Sequence, residues 1–235
     1  DGIMILETEL ANGTPIAEYF TNVDVQFDLS ITPNRPDCLS HTGIAKELAV
    51  MFGTEYKGPS PAPLAATGAI PFKLNVAENS GCYRFTANVI KGIRLGESPS
   101  WLKDKLATFG IRSINNLVDI SNYVMFELGQ PLHFYNYDQI SGAELNIRSA
   151  KASEEVTTLD DKTRKITAEC IVIEDSEKFA GLAGMMGGAD TEVSDSTVNV
   201  LVEAAIWDAT RIQRSQRDLG FITDASYRYS KGVDH

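Results

Sequence analysis

The stretch from residue 111 to residue 138, IRSINNLVDISNYVMFELGQPLHFYNYD, constrains the fold more than any other part of the sequence. Its middle predicts a helix, because four apolar residues recur at helical spacing and form one stripe. These residues are Leu117, Ile120, Val124 and Leu128. Asn115 or Asn116 can cap the start of this helix, and Gly129 followed by Pro131 ends it.

Polar side chains occupy the other face of this helix and the segment that follows it. Ser121 and Asn122 lie on the predicted helix, and Gln130 and His133 lie in the predicted exit loop. A hydroxyl, an amide and an imidazole at one exit can form the wall of a binding site. The alternative is a solvated helix face followed by a hydrogen-bonded histidine, and spacing alone favours this alternative.

Composition indicates an ordinary globular protein. The 235 residues are 43% hydrophobic and 23% charged, enough for one large core or a core with a smaller lobe. No apolar run is long enough to cross a bilayer, and the start lacks a secretory pattern. We expect a cytoplasmic protein, because reduced thiols are the simplest interpretation of the three cysteines. The opening DGIMIL lacks an initiator Met, so we expect a fragment of a longer chain.

Cysteine, histidine and charge narrow the class of site. Three cysteines without a C-x-x-C pair, and only three histidines, argue against a disulfide framework and a structural zinc site. A net charge of −11 opposes non-specific nucleic-acid binding by the whole surface. Any phosphate-binding surface is expected in the basic C-terminal stretch or in a partner chain, although a solvated helix face explains the same charges. The basic residues are Arg211, Arg214, Arg217, Arg228 and Lys231.

The first third of the chain predicts a small lobe. A short strand, a turn at Asn12-Gly13 and a helical piece are expected within residues 1–24, followed by a strand at residues 25–31. Ser40 caps a predicted helix that ends at Gly53. Residues 58–71 are rich in Pro, Ala and Gly and form the candidate linker, which places a lobe boundary near residue 78.

The rest of the chain changes from helices to strands. A helix between Pro99 and Gly110 is expected to turn Trp101, Leu102, Leu106 and Phe109 inward. Strands are predicted at residues 84–90, 144–148, 155–159, 164–167, 170–174 and 198–202. Asp160-Asp161-Lys162 joins two of them as a hairpin, and a last helix spans about Asp208 to Leu219. The sequence therefore predicts an α+β fold with mixed or antiparallel sheets and packed helices, preceded by a small α/β flanking lobe.

Two further features suggest a ligand site without requiring one. The glycines in the run AGLAGMMGGAD, residues 180–190, make room for a ligand near backbone N–H groups, although a glycine-rich strand with a bulge fits equally. Glu203 follows the apolar run VNVLV, so it is either a partly buried acceptor for a ligand or an acid at a strand end.

Four separated stretches together resemble the beta subunit of bacterial-type phenylalanyl-tRNA synthetase. They are ITPNRPDCLSHTGIAKELA, INNLVDISNYVMFELGQPLHFYNYD, GLAGMMGGADTEV and TDASYRYSKGVD. The resemblance covers almost the whole chain in order. It identifies residues 79–235 as similar to the B3/B4-type tRNA-editing domain and residues 1–78 as similar to the segment that precedes it. The later modules of that subunit and the catalytic alpha subunit are not in this sequence.

The resemblance implies hydrolysis of tyrosyl-tRNA(Phe), with the alpha subunit as a partner and no cofactor or metal for editing. It places His133, Asn122 and Ser121 in the editing site, with Ser121 standing where many relatives have Thr, and we expect these three residues to orient the attacking water or the terminal ribose. It assigns Glu203 to the tyrosine hydroxyl. The other implied substrate-binding residues are Arg112, Ala183, Gly184, Gly187, Thr223 and Ala225.

Physical reasoning links these assignments. A buried acceptor separates tyrosine from phenylalanine well, because phenylalanine leaves it unpaired. We therefore expect Glu203 to be a solitary buried carboxyl, with a backbone N–H of Gly184 or Gly187 beside it. Two other roles stay open: a module that holds tRNA without hydrolysing it, and a scaffold for subunit assembly. The scaffold role predicts an exposed or salt-bridged Glu203 and no cavity beside it.

Overall fold

The structure is a computed structural model that describes residues 3, 5–20, 25–62 and 65–233. Within these ranges the α-helices are α1 (Ile16–Tyr19), α2 (His41–Phe52), α3 (Ser100–Thr108), α4 (Asn116–Leu128), α5 (Ala209–Leu219) and α6 (Asp224–Tyr229). The strands are β1 (Lys73–Val76), β2 (Cys82–Lys91), β3 (Leu132–Asn136), β4 (Glu144–Ser149), β5 (Glu155–Thr157), β6 (Thr163–Lys165), β7 (Ile171–Glu174), β8 (Phe179–Leu182), β9 (Met186–Gly187) and β10 (Asn199–Trp207). None of these helices is long and apolar enough to cross a membrane.

Two sheets organise the chain. The first is antiparallel and has the order β2-β10-β3, so β10 is its central strand. The second has the order β1-β4-β7-β8-β9, in which β1 runs parallel to β4 and the other pairs are antiparallel. Strands β5 and β6 form the hairpin predicted around Asp161. The predicted α+β class with mixed and antiparallel sheets is confirmed.

The core draws its side chains from both sheets. Alternate residues of β4 and most of β10 are almost completely enclosed, as expected for strands that turn one face inward, whereas Ile171, Val172 and Ile173 of β7 are all enclosed. Burying an aliphatic side chain of this kind contributes about 1.5–3 kcal/mol. The largest fully buried side chains of the core include Leu145, Ile147, Ile173 and Leu201 from these strands, Tyr135 from β3 and Ile212 from α5.

Helix α4 begins and ends where its sequence predicts. The side chain of Asn115 accepts hydrogen bonds from the backbone N–H groups of Leu117 and Val118, at 3.1 and 3.0 Å. Gly129 ends the helix in the left-handed conformation, with φ of 81°. The start, the end and the Asn115 cap are therefore confirmed.

The apolar stripe of α4 is only partly as predicted. Leu117 is buried, but Ile120 and Leu128 are 42% and 46% exposed. Asp119 is fully buried instead, because it accepts hydrogen bonds from the hydroxyls of Ser98 and Ser113, both at 2.5 Å, and from a backbone N–H. These donors stabilise a buried carboxylate at a position that lies outside the predicted apolar stripe.

The flanking segment is less regular than expected. The strand predicted at residues 25–31 is wrong: this segment forms no ladder in the described part of the chain, and nearly all of it is exposed. No strand forms at residues 5–10 either, while residues 1, 2 and 4 lie outside the described residues. Alternation alone does not create a strand, because the backbone groups also need a partner.

Helices α2 and α3 have nearly the predicted bounds, but not every predicted inward side chain is buried. In α3, Leu102 and Leu106 are enclosed, whereas Trp101 is 55% exposed and meets the ring of Tyr123 edge-on at 5.6 Å. Strand β1 lies before residue 78, in the segment assigned to the flanking lobe, and it pairs with β4. The division into domains at residue 78 stays a prediction.

Candidate functional site

A cavity of about 350 Å³ lies between the two sheets. Its wall combines residues of β3 and β10 from one sheet with residues of β7, β8 and β9 from the other, and α4 and α6 also contribute. Nine of the residues predicted for the site line it. They are Ser121, Asn122, His133, Ala183, Gly184, Gly187, Glu203, Thr223 and Ala225. Arg112 is exposed and does not line the cavity, and its role stays a prediction.

The register of the first sheet brings the acid and the imidazole together. Glu203 on β10 is the direct neighbour of His133 on β3, and Leu201 is the direct neighbour of Tyr135. Direct neighbours in an antiparallel ladder turn their side chains to the same face. Because residues two apart on a strand share a face, His133, Tyr135 and Glu203 all point into the cavity region.

Glu203 is a buried carboxyl, 5% exposed, in the middle of β10 rather than at a strand end. Burial raises its pKa to about 7, and a hydrogen bond from Tyr135 acts in the opposite direction. The hydroxyl of Tyr135 lies 2.5 Å from Oε2 of Glu203 and donates to it. The expectation of a solitary carboxyl is therefore wrong, because the protein supplies a phenol of its own.

The second carboxylate oxygen of Glu203 faces a different environment. No hydrogen-bond donor among the described residues contacts Oε1. In the described chain, Nε1 of Trp207 is the only fully enclosed side-chain nitrogen or oxygen without a hydrogen-bond partner. Since Oε1 also has no partner, it is not fully enclosed. Oε1 therefore keeps access to the cavity, where it can accept one hydrogen bond from a ligand.

His133 is an uncharged group in this site. Burial lowers its pKa to about 4, so the imidazole is neutral at pH 7. Its ring meets the ring of Tyr135 edge-on, with 4.4 Å between the centroids. A neutral imidazole next to the cavity can accept a proton from water or donate one N–H to an ester, but it cannot form an ion pair with Glu203.

The glycine run forms the β8–β9 hairpin, and its glycines make room mainly for protein atoms. A Cβ on Gly187 would lie 2.5 Å from Cε1 of His133 and 2.8 Å from Nε2. Gly184 has φ of +67°, and a Cβ there would press on Trp207 and Ile212. The N–H of Gly184 has no acceptor among the described residues, so it remains a donor at the cavity wall.

Helices α4 and α6 supply the remaining polar groups. Ser121 donates to the carbonyl of Val118 at 2.9 Å, and the amide of Asn122 has no hydrogen bond to any described residue. Thr223 caps α6 and donates to the carbonyl of Met185 at 3.2 Å, which ties α6 to the β8–β9 turn. Ala225 adds little volume, so the wall stays open beside α6.

Three of the polar side chains in the cavity wall were not predicted for the site. Tyr135 and Tyr229 both line the cavity, and so does Asp224 at the start of α6. The hydroxyl of Tyr229 donates to the carbonyl of Pro131 at 3.2 Å and accepts from Gln130 at 3.3 Å. The alternation His133-x-Tyr135 was the available signal for Tyr135, but residues 132–136 were interpreted as a loop rather than as β3.

Two of the basic C-terminal residues serve the fold. Arg211 donates to the backbone carbonyls of residues 79, 80, 168, 169 and 170. Arg228 is 7% exposed, donates to the carbonyl of Leu39 at 3.3 Å and lies over the ring of Phe126 at 4.6 Å. A phosphate-binding surface in this stretch therefore has to use the remaining basic residues, Arg214, Arg217 and Lys231.

Metal and thiol chemistry are not indicated by the described residues. Cys38, Cys82 and Cys170 are free thiols. No group of three His, Cys, Asp or Glu side chains is arranged to hold a metal ion in the ranges that the structure describes.

Residues 81–235 match the family described as the B3/4 domain, and this match covers the whole cavity wall. The chain belongs to the B3/4 domain family. Proteins named phenylalanine–tRNA ligase beta subunit are similar over almost its full length. The one from Anaeromyxobacter dehalogenans is 40% identical over 99% of this chain, and the one from Fusobacterium nucleatum is 41% identical over 100%. These matches confirm the resemblance found in the four motifs.

The chain spans 29% of the length of both relatives. Among solved structures, an N-terminal fragment of the phenylalanyl-tRNA synthetase beta-subunit from Pyrococcus horikoshii is similar. It is 18% identical, the match covers 81% of this chain and 60% of the fragment, and the TM-score is 0.48.

Proposed function

We propose that this chain is the editing region of a phenylalanine–tRNA ligase beta subunit and hydrolyses the ester of tyrosyl-tRNA(Phe). The observation that carries the proposal is the buried carboxyl of Glu203 in the wall of an open cavity, with one oxygen accessible. The family and the relatives support a role within a phenylalanine–tRNA ligase, and the chemistry of the cavity supports tyrosyl-tRNA(Phe) as the substrate.

Glu203 is the residue that distinguishes tyrosine from phenylalanine in this proposal. Tyrosine and phenylalanine differ by one hydroxyl, and an aromatic cavity alone separates such a pair poorly. A phenol donates a hydrogen bond to Oε1, whereas phenylalanine fills the same space and leaves a buried acceptor unpaired. Leaving a charged group without its partner costs more than about 1–3 kcal/mol, which corresponds to a preference of tenfold or more.

His133, Asn122 and Ser121 act on the ester. The aminoacyl ester is already reactive, so orienting a water beside it supplies much of the acceleration. The neutral imidazole accepts a hydrogen bond from that water, and the amide of Asn122 and the hydroxyl of Ser121 bind the ester or the terminal ribose. The free N–H of Gly184 is a further donor for the substrate. This scheme needs no metal or cofactor.

The partners follow from the same proposal. The substrate is the 3′ end of tRNA(Phe) that carries tyrosine, and the catalytic alpha subunit makes that ester. The net charge of −11 means that basic residues elsewhere in the assembled enzyme hold most of the tRNA.

Deacylation of pre-charged tRNA tests the proposal. The wild-type chain, alone and within the intact synthetase, is expected to release tyrosine from Tyr-tRNA(Phe) at least tenfold faster than phenylalanine from Phe-tRNA(Phe). Glu203→Ala removes the acceptor and is expected to abolish this preference. His133→Ala is expected to slow release of tyrosine while the affinity for Tyr-tRNA(Phe) is retained.

Full-rate hydrolysis of Tyr-tRNA(Phe) by Glu203→Ala, with Phe-tRNA(Phe) still spared, contradicts the role of Glu203. Absence of hydrolysis by both wild-type preparations contradicts the function itself. Binding of Tyr-tRNA(Phe) without hydrolysis in both preparations supports a tRNA-holding module instead.

The exposed apolar side chains of α2 support an additional role in assembly of the synthetase subunits. Leu48, Met51 and Phe52 are 45%, 72% and 73% exposed on this helix, which suggests that another surface covers it. The pure scaffold role also predicted an exposed or salt-bridged Glu203 with no cavity, and the structure shows the opposite. Replacing Met51 and Phe52 by Ser is expected to weaken assembly of the synthetase in sedimentation experiments without changing the editing preference.

A further inference from the structure

Among the residues that the structure describes, Tyr135 is the buried phenol that donates a hydrogen bond to Glu203, the carboxyl on which the proposed discrimination depends. It is 1% exposed, lies on β3 two residues beyond His133, and donates to Oε2 of Glu203 at 2.5 Å. We propose that Tyr135 is a specificity-determining positioning residue, which holds Glu203 as a one-sided acceptor and leaves only Oε1 for the phenol of the substrate. This inference rests on the proposed editing function.

The geometry supports a fixed orientation of the carboxyl. Register places Glu203 opposite His133 and puts Tyr135 one position further along the same face, so the hydroxyl reaches Oε2 diagonally across the strands. A carboxyl that is held by one short hydrogen bond cannot turn both oxygens to the ligand. A phenol that enters the cavity therefore meets one prepared acceptor, whereas phenylalanine meets the same acceptor and cannot satisfy it.

The second effect of Tyr135 is on the charge of Glu203. The titratable groups that lie opposite this carboxyl or interact with it are His133 and Tyr135 from β3, Cys82 from β2 and Tyr229 from α6, while Asp224 lies elsewhere in the cavity wall and pairs with Arg228. None of them is a cation at neutral pH, since burial keeps His133 neutral. The hydroxyl of Tyr135 is therefore the donor in the described chain that favours the ionised carboxylate, against the effect of burial.

Without this donor, Glu203 is expected to discriminate less well between tyrosine and phenylalanine. A protonated carboxyl donates as well as accepts and is less costly to leave unpaired than a carboxylate. Phenylalanine is then penalised less, and tyrosine gains less from its hydroxyl. The preference for tyrosine falls, although the cavity keeps its shape.

Tyr135→Phe tests the inference, because it removes one oxygen and keeps the ring against His133. We expect the ratio of kcat/KM for Tyr-tRNA(Phe) to that for Phe-tRNA(Phe) to fall about tenfold at pH 7, as for loss of a hydrogen bond to a charged group. We also expect the pH at which this ratio is half-maximal to move upward by about one unit or more. The measurement is the rate of deacylation by the intact synthetase between pH 6 and pH 8.5, corrected for uncatalysed hydrolysis.

Tyr83→Phe is the matched control. Its hydroxyl also donates to a carboxylate, Oδ2 of Asp208 at 2.8 Å, but Tyr83 is 69% exposed and outside the cavity wall. This control is expected to leave both the ratio and its pH dependence unchanged. A merely structural role for Tyr135 lowers activity at every pH in the same proportion, so a pH-dependent recovery of the ratio separates the two roles.

The double variant Tyr135→Phe/Glu203→Gln completes the test. If Tyr135 acts through Glu203, its loss has little further effect on the ratio once Glu203 is Gln. An unchanged ratio and pH midpoint in Tyr135→Phe overturn the inference, while the wild-type preference still supports editing. A loss of preference that is equally large in both Glu203 backgrounds also overturns it. Loss of wild-type hydrolysis is a different result, since it contradicts the proposed function itself.

Discussion

Burial has opposite effects on the two titratable residues that face each other across β10 and β3. It raises the pKa of Glu203 to about 7 and lowers the pKa of His133 to about 4. The usual order of the two groups is reversed, so a proton resides on the carboxyl more readily than on the imidazole. Because His133 is neutral at pH 7, the two groups form no ion pair, so the proposed binding of a tyrosine side chain breaks none.

At the scale of one residue, Gly187→Ala tests the position of the imidazole. The new Cβ would lie 2.5 Å from Cε1 of His133, and the imidazole is the far end of a side chain that can rotate away. We expect kcat for Tyr-tRNA(Phe) to fall at least tenfold, because misplacing a group by about 1 Å can reduce a rate about a hundredfold. Steady-state deacylation kinetics and the NMR chemical shifts of the His133 ring measure the two effects.

Gly96→Ala controls for the change of glycine to alanine. A Cβ at Gly96 meets nothing within 4 Å, and Gly96 lies outside the cavity wall. The rate and the His133 resonances are expected to match the wild type there. Unchanged kcat in Gly187→Ala, together with a displaced imidazole, contradicts a catalytic role for His133.

At the scale of elements, the sequence predicts what local chemistry determines. The Asn115 cap and Gly129 define α4, and Gly220 in the left-handed conformation ends α5 where it was expected. Strand β10 continues five residues beyond its predicted end, because it is the central strand and both neighbours supply hydrogen-bond partners past residue 202. Pairing between distant strands is not encoded in a local pattern of apolar residues.

Helix α6 illustrates the same limit. It has six residues, too few for a periodic signal, and it depends on contacts with distant elements. Thr223 and Ser226 form a capping box, and Thr223 also holds the carbonyl of Met185. The element that closes the cavity is therefore fixed by a cap and by the β8–β9 turn rather than by its own helix propensity.

Thr223→Val tests this element with a side chain of the same shape. It removes the acceptor for the N–H of Ser226 and the donor to Met185, so the free energy of unfolding is expected to fall by about 1–2 kcal/mol. Thr223→Ser keeps the hydroxyl and is expected to lose less than about 0.5 kcal/mol. Urea denaturation measures both values, and equal losses in the two variants contradict the role of the hydroxyl.

At the scale of the whole molecule, composition and periodicity predicted the α+β class, and the resemblance located the cavity. Nine of the ten residues predicted for the site line one space, although they come from five different strands and helices or the turns beside them. The partner of Glu203 could not be predicted, because it depends on the register of β3 against β10. Burial and pairing are properties of the assembled sheets.

The contact between the flanking segment and the cavity also appears only at this scale. Arg228 of α6 reaches the carbonyl of Leu39 and the ring of Phe126, and His41 approaches the carbonyl of Phe126 at 3.1 Å. Leu39, just before α2, therefore contacts α6, and His41, the first residue of α2, contacts α4, so the start of α2 supports both helices that line the cavity. No local sequence pattern predicts these contacts, because the paired residues are more than 80 positions apart.

The free energy of unfolding of the whole molecule is expected to depend on pH through the ionisation of Glu203. The ordinary pKa of a Glu is 4.5, and that of Glu203 in the fold is about 7, so between these values the folded chain binds a proton that the unfolded chain has released. The free energy of unfolding therefore loses a contribution from Glu203 as pH rises from about 4.5 to about 7. His133 acts in the opposite direction between pH 4 and 6.5, because its proton is bound more tightly in the unfolded chain.

Glu203→Gln removes the first contribution and keeps the second. We expect the variant to become more stable relative to the wild type as pH rises, by about 3 kcal/mol between pH 4.5 and pH 7.5, since each pKa unit is worth about 1.4 kcal/mol. Urea denaturation at a series of pH values measures the difference, and the His133 contribution cancels because both proteins contain it. A difference that stays constant with pH means that Glu203 is ionised in the fold with its ordinary pKa, which contradicts the buried acceptor on which the discrimination of tyrosine depends.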